Sequence, residues 1–242
     1  MSDTEFASLE QKLASLDQAA IRDSFHAANE FLQIEDFLPT DLTQSFVADL
    51  HRLEDAVHRN FIPKHKKGGS VSRFDLDKRA NRFGELYKYQ PLNEFFSFLA
   101  GKPLLQCPEE DPHTYALYYY TEPGDHIGYH YDTSYYKGAR YTVLLGLIDN
   151  SSCELECQLY KDDPSKPTET LAVKLSPGKL VFFNGDKLYH RITPLQENEQ
   201  RIVLTLEYLT SGNMNPLLRF VSNMKDSIAY FGFKQVFGFK NR

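Results

Sequence analysis

Short runs of β-forming residues, separated by turn residues, occupy the chain from residue 113 to residue 209. The runs are rich in Tyr, Val, Leu, Ile and Thr, and pairs such as Pro-Gly, Asp-Asn and Asn-Gly interrupt them. Seven or eight short strands with frequent turns predict a sandwich or barrel and not an alternating β-α-β sheet. The predicted strands include residues 115–121, 139–148, 155–160, 169–175, 179–183 and 200–209.

Residues 1–105 have a helical pattern instead, clearest over residues 41–61, where apolar residues recur at helical spacing. The sequence predicts two further helices, over residues 92–99 and 213–231. It predicts a loop over residues 67–73 that leads into an extended segment. We therefore expect one domain of mainly β class. Its core is a double-stranded β-helix (a jelly roll, cupin-like) over residues 113–209. The helical segments 1–112 and 210–242 support that core.

Charge and composition narrow the function classes. The net charge is −6, so a general basic field for nucleic acid is lacking. The one basic cluster, residues 64–67, has two interpretations: a solvated loop, or a mobile loop near an anionic ligand. Cys107, Cys153 and Cys157 are too few and too irregular for a disulfide framework. The N-terminal segment lacks the pattern of a signal peptide, and no stretch reaches the ~18 apolar residues of a membrane span. These features predict a cytoplasmic protein.

Two segments supply candidate metal ligands. His130 and Asp132 are two residues apart, so in a strand both side chains lie on one face. Alone, this spacing is weak evidence for a metal site. His190, on a strand that returns after the Asn184-Gly185 turn, supplies a third ligand. Two imidazoles and one carboxylate leave open positions on a metal, an arrangement that suits non-haem iron(II) oxygen chemistry.

Arg201 is the next signal. It opens the apolar strand 201–209, eleven residues after His190. A buried guanidinium requires an anion, because an unpaired buried charge is costly, and its fork binds a carboxylate at two points. The distal carboxylate of 2-oxoglutarate fits, and a structural salt bridge is the alternative.

Four motifs in this order resemble the prolyl-4-hydroxylase-like branch of the iron(II)/2-oxoglutarate-dependent oxygenases. They are residues 120–132, residues 140–149, residues 178–194 and Arg201, and together they cover some 95 residues. No motif of this family is found in residues 1–105.

The resemblance implies iron(II), 2-oxoglutarate and O2 as cofactor and co-substrates. His130, Asp132 and His190 would be the catalytic iron ligands, and Arg201 would bind 2-oxoglutarate. The resemblance also assigns Tyr120 and Thr142 to the co-substrate pocket. A second tyrosine of the family, expected sixteen residues after the first ligand, is replaced by Gly146.

The residue types at positions 132 and 207 distinguish subclasses of this oxygenase superfamily. Related halogenases have Gly or Ala in place of the carboxylate ligand, so Asp132 favours hydroxylation. Nucleic-acid demethylases of this superfamily have a second arginine at the position of Glu207, which disfavours that class.

The segment 66–73 faintly resembles small enzymes that hydroxylate or halogenate free amino acids. In that case Arg73 would bind the substrate carboxylate. The alternative for Arg73 is an exposed residue at a strand start.

The candidate substrate residues are otherwise acidic. Glu207 shares strand parity with Arg201 and should point inward unless a bulge intervenes. With Glu122 or Asp125 it would select a small, amine-bearing, amino-acid-like substrate, or it would pair with a structural Lys or Arg. A hydroxylase acting on a protein side chain, an oxidative cyclase or desaturase, and a non-catalytic jelly-roll binding protein are the other functions considered.

Overall fold

The computed structural model describes residues 6–109, 111–132 and 136–213. The helix predicted for residues 213–231 lies outside these ranges from residue 214 onward. Six α-helices occur in the described ranges: α1 (Ala7–Ser15), α2 (Gln18–Ala27), α3 (Thr40–Asp49), α4 (Arg73–Arg79), α5 (Arg82–Lys88) and α6 (Gln90–Ala100). A 3-10 helix, Leu50–Ala56, continues α3. None of these helices is both long enough and apolar enough to span a membrane.

Twelve strands in the same ranges form one sheet: β1 (Phe31–Ile34), β2 (His58–Ile62), β3 (Lys66–Ser72), β4 (Leu105–Gln106), β5 (Tyr115–Tyr120), β6 (His126–His130), β7 (Arg140–Asn150), β8 (Leu155–Leu159), β9 (Glu169–Val173), β10 (Leu180–Asn184), β11 (Tyr189–Ile192) and β12 (Gln200–Leu209). The strand order is β1-β10-β7-β12-β5-β3-β6-β11-β8-β9, with β2 beside β3 and β4 beside β12. Neighbouring strands are antiparallel throughout. The jelly-roll expectation is confirmed.

The helices cover one face of this sheet through a stack of aromatic rings. Phe182 of β10 packs against Phe25 of α2 and Phe96 of α6, with ring centroids 5.0 Å and 4.9 Å apart. Its neighbour Phe183 points to the opposite face and packs against His190. The alternation of side chains along β10 therefore separates the helix-covered core from the interior of the sheet.

The N-terminal segment contributes more strands than the helical pattern predicted. The predicted helix over residues 41–61 is wrong at its end, because the helical turns stop at Ala56 and residues 58–62 form β2. Residues 66–72, predicted mainly as a loop, form β3 between β5 and β6. Phe61, the last apolar residue of the pattern, is exposed and lies in a strand because β3 supplies backbone partners that a single sequence does not reveal.

Glu30 fastens the N-terminal segment to the turn that precedes β11. Its carboxylate accepts hydrogen bonds from Tyr141 (2.6 Å), Asn184 (2.8 Å) and Lys187 (2.6 Å). Its backbone carbonyl accepts a fourth from the Asn184 amide (3.0 Å). Burial opposes ionisation, but these three donors lower the pKa of Glu30 to about 2. The charged form of Glu30 is therefore favoured in the folded chain.

We expect Glu30→Gln to lower the free energy of unfolding by about 2 kcal/mol at pH 6, a value discounted for the half-exposed Lys187. Because the folded pKa lies below the unfolded one, this stabilisation is complete above pH ~5 and is lost as the pH falls toward 2. Urea denaturation of both proteins at pH 6 and pH 3 measures it. The difference between them should shrink by more than half at pH 3. A difference independent of pH would contradict the assignment.

Candidate active site

His130 and His190 face each other across two paired strands. They are direct partners in the antiparallel pairing of β6 with β11, and their ring centroids are 4.3 Å apart. The Nδ1 atom of His130 lies 2.8 Å from the carbonyl oxygen of Gly128, and that of His190 lies 3.1 Å from the carbonyl oxygen of Leu188. A carbonyl only accepts, so each neutral ring donates from Nδ1 and keeps the lone pair on Nε2.

Asp132 completes the cluster from the segment just after β6. Its Oδ1 is 3.3 Å from Nε2 of His130, and its Oδ2 is 3.8 Å from Nε2 of His190. The ligand atoms of the three residues all lie within 4.8 Å of one another. The turn before β11 packs on this segment, since a Cβ on Gly185 would lie 2.6 Å from the carbonyl oxygen of Asp132. Glycine at position 185 thus permits the approach of Asp132 to the two histidines.

The protonation of the three side chains suits a divalent metal. Burial lowers the pKa of His190 to about 4, so its imidazole is neutral at neutral pH. Burial opposes the charge on Asp132, but His190 and His130 hold the pKa of that carboxyl well below its usual range. Burial likewise opposes protonation of His130, whereas Asp132 raises the pKa of His130. Once metal binding displaces any proton from Nε2 of His130, the set offers two nitrogen lone pairs and an ionised carboxylate, which fits iron(II).

The three ligands and Arg201 line one cavity of about 380 Å³ inside the sheet. Arg201 is 1% exposed and stands opposite Tyr120 in the pairing of β12 with β5. Its guanidinium carbon is 5.1 Å from the centre of the Tyr120 ring. Its Nε and Nη1 have no hydrogen-bond partner within the described part of the chain. Two orphaned donors on a buried cation are costly, so this end of the cavity fits an anionic ligand.

Tyr120 and Thr142, the other two residues predicted for the co-substrate pocket, also line the cavity. Burial raises the pKa of Tyr120 well above its ordinary value, which keeps its hydroxyl protonated beside Arg201. The Thr142 hydroxyl instead lies 2.9 Å from Oδ2 of Asp132 and 2.9 Å from Oε2 of Glu207. Thr142 therefore contacts the metal-ligand cluster directly.

Glu207 points into the cavity, as its strand parity predicted, and is 4% exposed. Its Oε2 accepts a hydrogen bond from Nε of Arg140 at 2.8 Å, besides the contact with Thr142. Burial raises the pKa of Glu207 to about 7. The charge of Asp132 adds to this effect, and Arg140 opposes it. Both an ion pair and a cavity-facing carboxylate are thus present at this residue.

The other predicted substrate residues are not brought to this cavity. Arg73 begins α4, where its Nη2 lies 3.4 Å from Oδ2 of Asp77. Asp125 is fully buried and receives both Nη atoms of Arg59, at 2.6 Å and 2.9 Å. Glu122 is exposed and lies 3.0 Å from the same arginine. These carboxylates fix the turn between β5 and β6, where a local cation and the turn amides satisfy them.

Sequence reasoning missed several cavity residues, chiefly Arg140. A signal for it exists, because Arg140, Thr142 and Leu144 alternate along β7 and all three line the cavity. Other missed lining residues lie outside the motif segments, among them Ile62, His65, Asp111, His113, Tyr118 and Tyr136.

Gly146, the departure from the family pattern, has a backbone role. Its N–H donates to the carbonyl oxygen of Lys179 at 3.0 Å, and its own carbonyl accepts from Gly178 at 2.9 Å. A Cβ at this position would lie 2.2 Å from the carbonyl oxygen of Ser176. The close approach of the chain before β10 therefore excludes any side chain here, including tyrosine.

Solved structures of similar fold include an α-ketoglutarate-dependent epimerase and prolyl hydroxylases. The non-haem α-ketoglutarate-dependent epimerase SnoN from nogalamycin biosynthesis matches with a TM-score of 0.65 and 14% identity, over 79% of this chain and 80% of that chain. A prolyl-4-hydroxylase from Pseudomonas putida matches with a TM-score of 0.59 and 16% identity, over 79% of this chain and 97% of that chain. A prolyl hydroxylase from Trichoplax adhaerens, in complex with a hypoxia inducible factor peptide, matches with a TM-score of 0.66 and 13% identity. The match covers 89% of this chain and 96% of that chain.

Comparison of the sequence with family models assigns this chain to a family. A search among curated proteins finds no match to this chain. Residues 13–138, just over half of the chain, match the sequence model of the family described as Halogenase D (HalD). The chain therefore belongs to the halogenase D family and has the fold of the iron(II)- and 2-oxoglutarate-dependent oxygenases, as its motifs predicted.

Proposed function

We propose that this protein is an iron(II)- and 2-oxoglutarate-dependent dioxygenase that hydroxylates an unactivated C–H bond of a small, amino-acid-like substrate. The observation that carries the proposal is the cavity itself. It places a buried arginine with two orphaned donors, Arg201, together with a cluster of two histidines and one aspartate. The first feature fits a carboxylate and the second fits iron(II).

His130, Asp132 and His190 would hold the iron through Nε2, a carboxylate oxygen and Nε2. Iron(II) and 2-oxoglutarate, when bound, would activate O2, so that one oxygen atom enters the C–H bond as a hydroxyl group and the other enters the succinate that forms from 2-oxoglutarate with loss of CO2. The hydrogen bonds from each Nδ1 to a backbone carbonyl fix the two rings before metal binding. The Thr142 hydroxyl donates to Oδ2 of Asp132 and orients the carboxylate in the same way.

Arg201 and Tyr120 would bind the distal carboxylate of 2-oxoglutarate. The guanidinium carries two donors that nothing in the described chain uses, and the protonated Tyr120 hydroxyl is a further donor beside it. Apolar side chains from neighbouring strands, Leu144, Leu155 and Val203, line the same cavity. For the 1% exposed Arg201, a charge-assisted pair is stronger than the same pair in open water.

Asp132 favours hydroxylation within a family described as halogenases. Its carboxylate lies among the two histidines and receives the Thr142 hydroxyl, so it takes the ligand position that related halogenases leave to chloride. We therefore propose that the product carries a hydroxyl group. Mass spectrometry of the product formed in the presence of chloride distinguishes an added oxygen atom from an added chlorine atom.

The charges of the cavity support a small polar substrate. Arg140, Glu207 and Asp111 all line it, and Glu207, which Arg140 contacts, is six positions after Arg201 along β12. A volume of about 380 Å³ is near the lower limit of small-molecule sites and accommodates an amino acid beside the co-substrate. These features favour an amino-acid-like substrate over the extended peptide of a protein hydroxylase.

Anaerobic titration of the protein with iron(II) and 2-oxoglutarate tests the core of this proposal. We expect the visible absorption band of the iron–2-oxoglutarate complex to appear with saturating behaviour, and air to yield succinate slowly without any prime substrate. A protein that binds no iron, or that binds iron without developing the band, would not be a 2-oxoglutarate oxygenase.

Arg201→Met should weaken 2-oxoglutarate binding at least 30-fold, since a charge-assisted pair contributes about 2 kcal/mol. It should not lower the melting temperature of the ligand-free protein, because the change removes a buried charge with orphaned donors. Band titration and thermal denaturation measure the two effects. Arg191→Met is the matched control, because Arg191 lies on β11 and pairs with Glu156 instead. Equal 2-oxoglutarate affinity in both variants would contradict the role.

Thr142→Val should weaken iron(II) binding by ~10- to 100-fold, the usual effect of removing a partner that orients a metal ligand. Thr142→Ser keeps the hydroxyl and should restore most of the affinity. Thr205→Val is the matched control, because Thr205 lines the same cavity without contacting Asp132. Competition with a metal-binding dye under nitrogen gives the affinities. Undiminished affinity in Thr142→Val would refute the orienting role.

A further inference from the structure

The alternation of side chains is broken in β6, just before the first metal ligand. Ile127 and His130 both line the cavity although they are three positions apart, whereas residues three apart in a regular strand lie on opposite faces. Their partners in β11 are regular, because His190 pairs with His130, Ile192 pairs with Ile127, and both partners line the cavity two positions apart. The irregularity therefore belongs to β6.

An extra residue in β6 explains the change of face. The two cavity-facing pairs enclose one residue of β11, Arg191, and two residues of β6, Gly128 and Tyr129. Two residues opposite one form a β-bulge, which re-aims the side chains that follow it. A regular strand that kept Ile127 in the cavity would turn both metal ligands of this segment to the outer face of the sheet.

Gly128 seats the bulge against the turn between β2 and β3. Its N–H donates to the carbonyl oxygen of His65 at 2.6 Å, and its own carbonyl oxygen lies 2.8 Å from Nδ1 of His130. A Cβ on Gly128 would lie 3.3 Å from the carbonyl oxygens of both Lys64 and His65, which is closer than an ordinary van der Waals contact. The absence of a side chain thus lets the bulge approach the turn.

Tyr129 holds the bulge from the outer face of the sheet. Its ring stacks on Tyr189 of β11, with centroids 5.0 Å apart and planes at 10°. Its hydroxyl donates to Oε2 of Glu156 on β8 at 2.9 Å. Turning Tyr129 into the cavity would lose both contacts, and a stacked aromatic pair contributes stability beyond its buried area. The two contacts therefore favour the bulged arrangement over regular pairing.

Asp125 anchors the start of β6, so a change in the bulge acts on the residues that follow it. The Asp125 carboxylate receives both Nη atoms of Arg59 and the backbone N–H groups of Thr121 and Glu122. Ile127 is buried in the apolar cluster inside the sheet. Because this end is fixed, removal of one bulge residue would reverse the faces of the metal ligands instead.

We propose that Gly128 and Tyr129 are positioning residues, which form a β-bulge that turns His130 and Asp132 into the cavity. The inference rests on the proposed function, because the two residues that the bulge turns are metal ligands of that site. It adds a requirement that the identity of the ligands does not contain: β6 must have one residue more than β11 between the two cavity-facing pairs.

Deletion of Gly128 tests the bulge. Tyr129 can then pair with Arg191 in a regular ladder. We expect iron(II) affinity to fall by more than ~100-fold, because losing two ligands exceeds the effect of losing a partner that only orients one. The circular dichroism spectrum should keep its β-sheet form. Deletion of Ser165, in the exposed connection between β8 and β9, is the control and should leave the affinity unchanged. A folded protein that lacks Gly128 and binds iron(II) like the wild type would overturn the bulge.

Tyrosine substitutions decide the matter if the deletion variant does not fold. Tyr129→Ala and Tyr189→Ala should each weaken iron(II) binding about tenfold. The double variant should lose no more than either alone, because the same stacked pair is lost in all three. Tyr129→Phe keeps the stack and should restore most of the affinity. Arg191→Met removes the cation above the Tyr129 ring, leaves the stack in place, and should bind iron(II) like the wild type. Additive losses, or full affinity in Tyr129→Ala, would reject the positioning role.

Reaction of the metal-free protein with diethyl pyrocarbonate separates this inference from the proposed function. Relative to the exposed His51, His130 should react several times faster without Gly128, and Tyr129→Ala should change the rate in the same direction. If the wild type develops no iron–2-oxoglutarate band, the oxygenase assignment fails, and the rate at His130 still tests the bulge. If the band develops but neither this rate nor the iron(II) affinity changes in the variants, the bulge is wrong and the oxygenase assignment stands.

Discussion

The pairing of β6 with β11 is the contact on which the site depends. It sets His130 directly opposite His190, and a change of register by one residue would move one imidazole to the outer face of the sheet. The two Nδ1 hydrogen bonds go to carbonyls two residues upstream of each ring. Each histidine is thus oriented by its own strand, and the pairing alone brings the two Nε2 atoms together.

The remaining parts of the fold hold that pairing in place. The turn before β11 is tied to the N-terminal segment by Glu30, and its Gly185 allows the Asp132 segment to pack against it. The aromatic stack around Phe182 covers the outer face of β10, the strand that leads into this turn. The helical segment therefore stabilises the site from behind, although its helices contribute no side chain to the metal-ligand cluster.

The sequence predicted the residues that come together in the cavity, His130, Asp132, His190 and Arg201, because its signals are local. Strand parity, the H-x-D spacing and a buried arginine each follow from the period of a strand. It did not predict the pairing of Arg140 with Glu207, because these partners are distant in the chain. Arg73 binds a carboxylate four residues away, whereas Arg140 meets Glu207 across 67 positions. The break of the predicted helix after Ala56 has the same origin, since β3 supplies the strand partner.

A network of contacts around the carboxylate of Asp132 supports the proposed hydroxylation in a family described as halogenases. Thr142 contacts this carboxylate and that of Glu207, and Arg140 contacts Glu207 in turn. If position 132 lacked a carboxylate, Thr142 would lose one acceptor, and the charge balance between the Glu207 end and the metal cluster would change. The surroundings of Asp132 are therefore built around a negative charge.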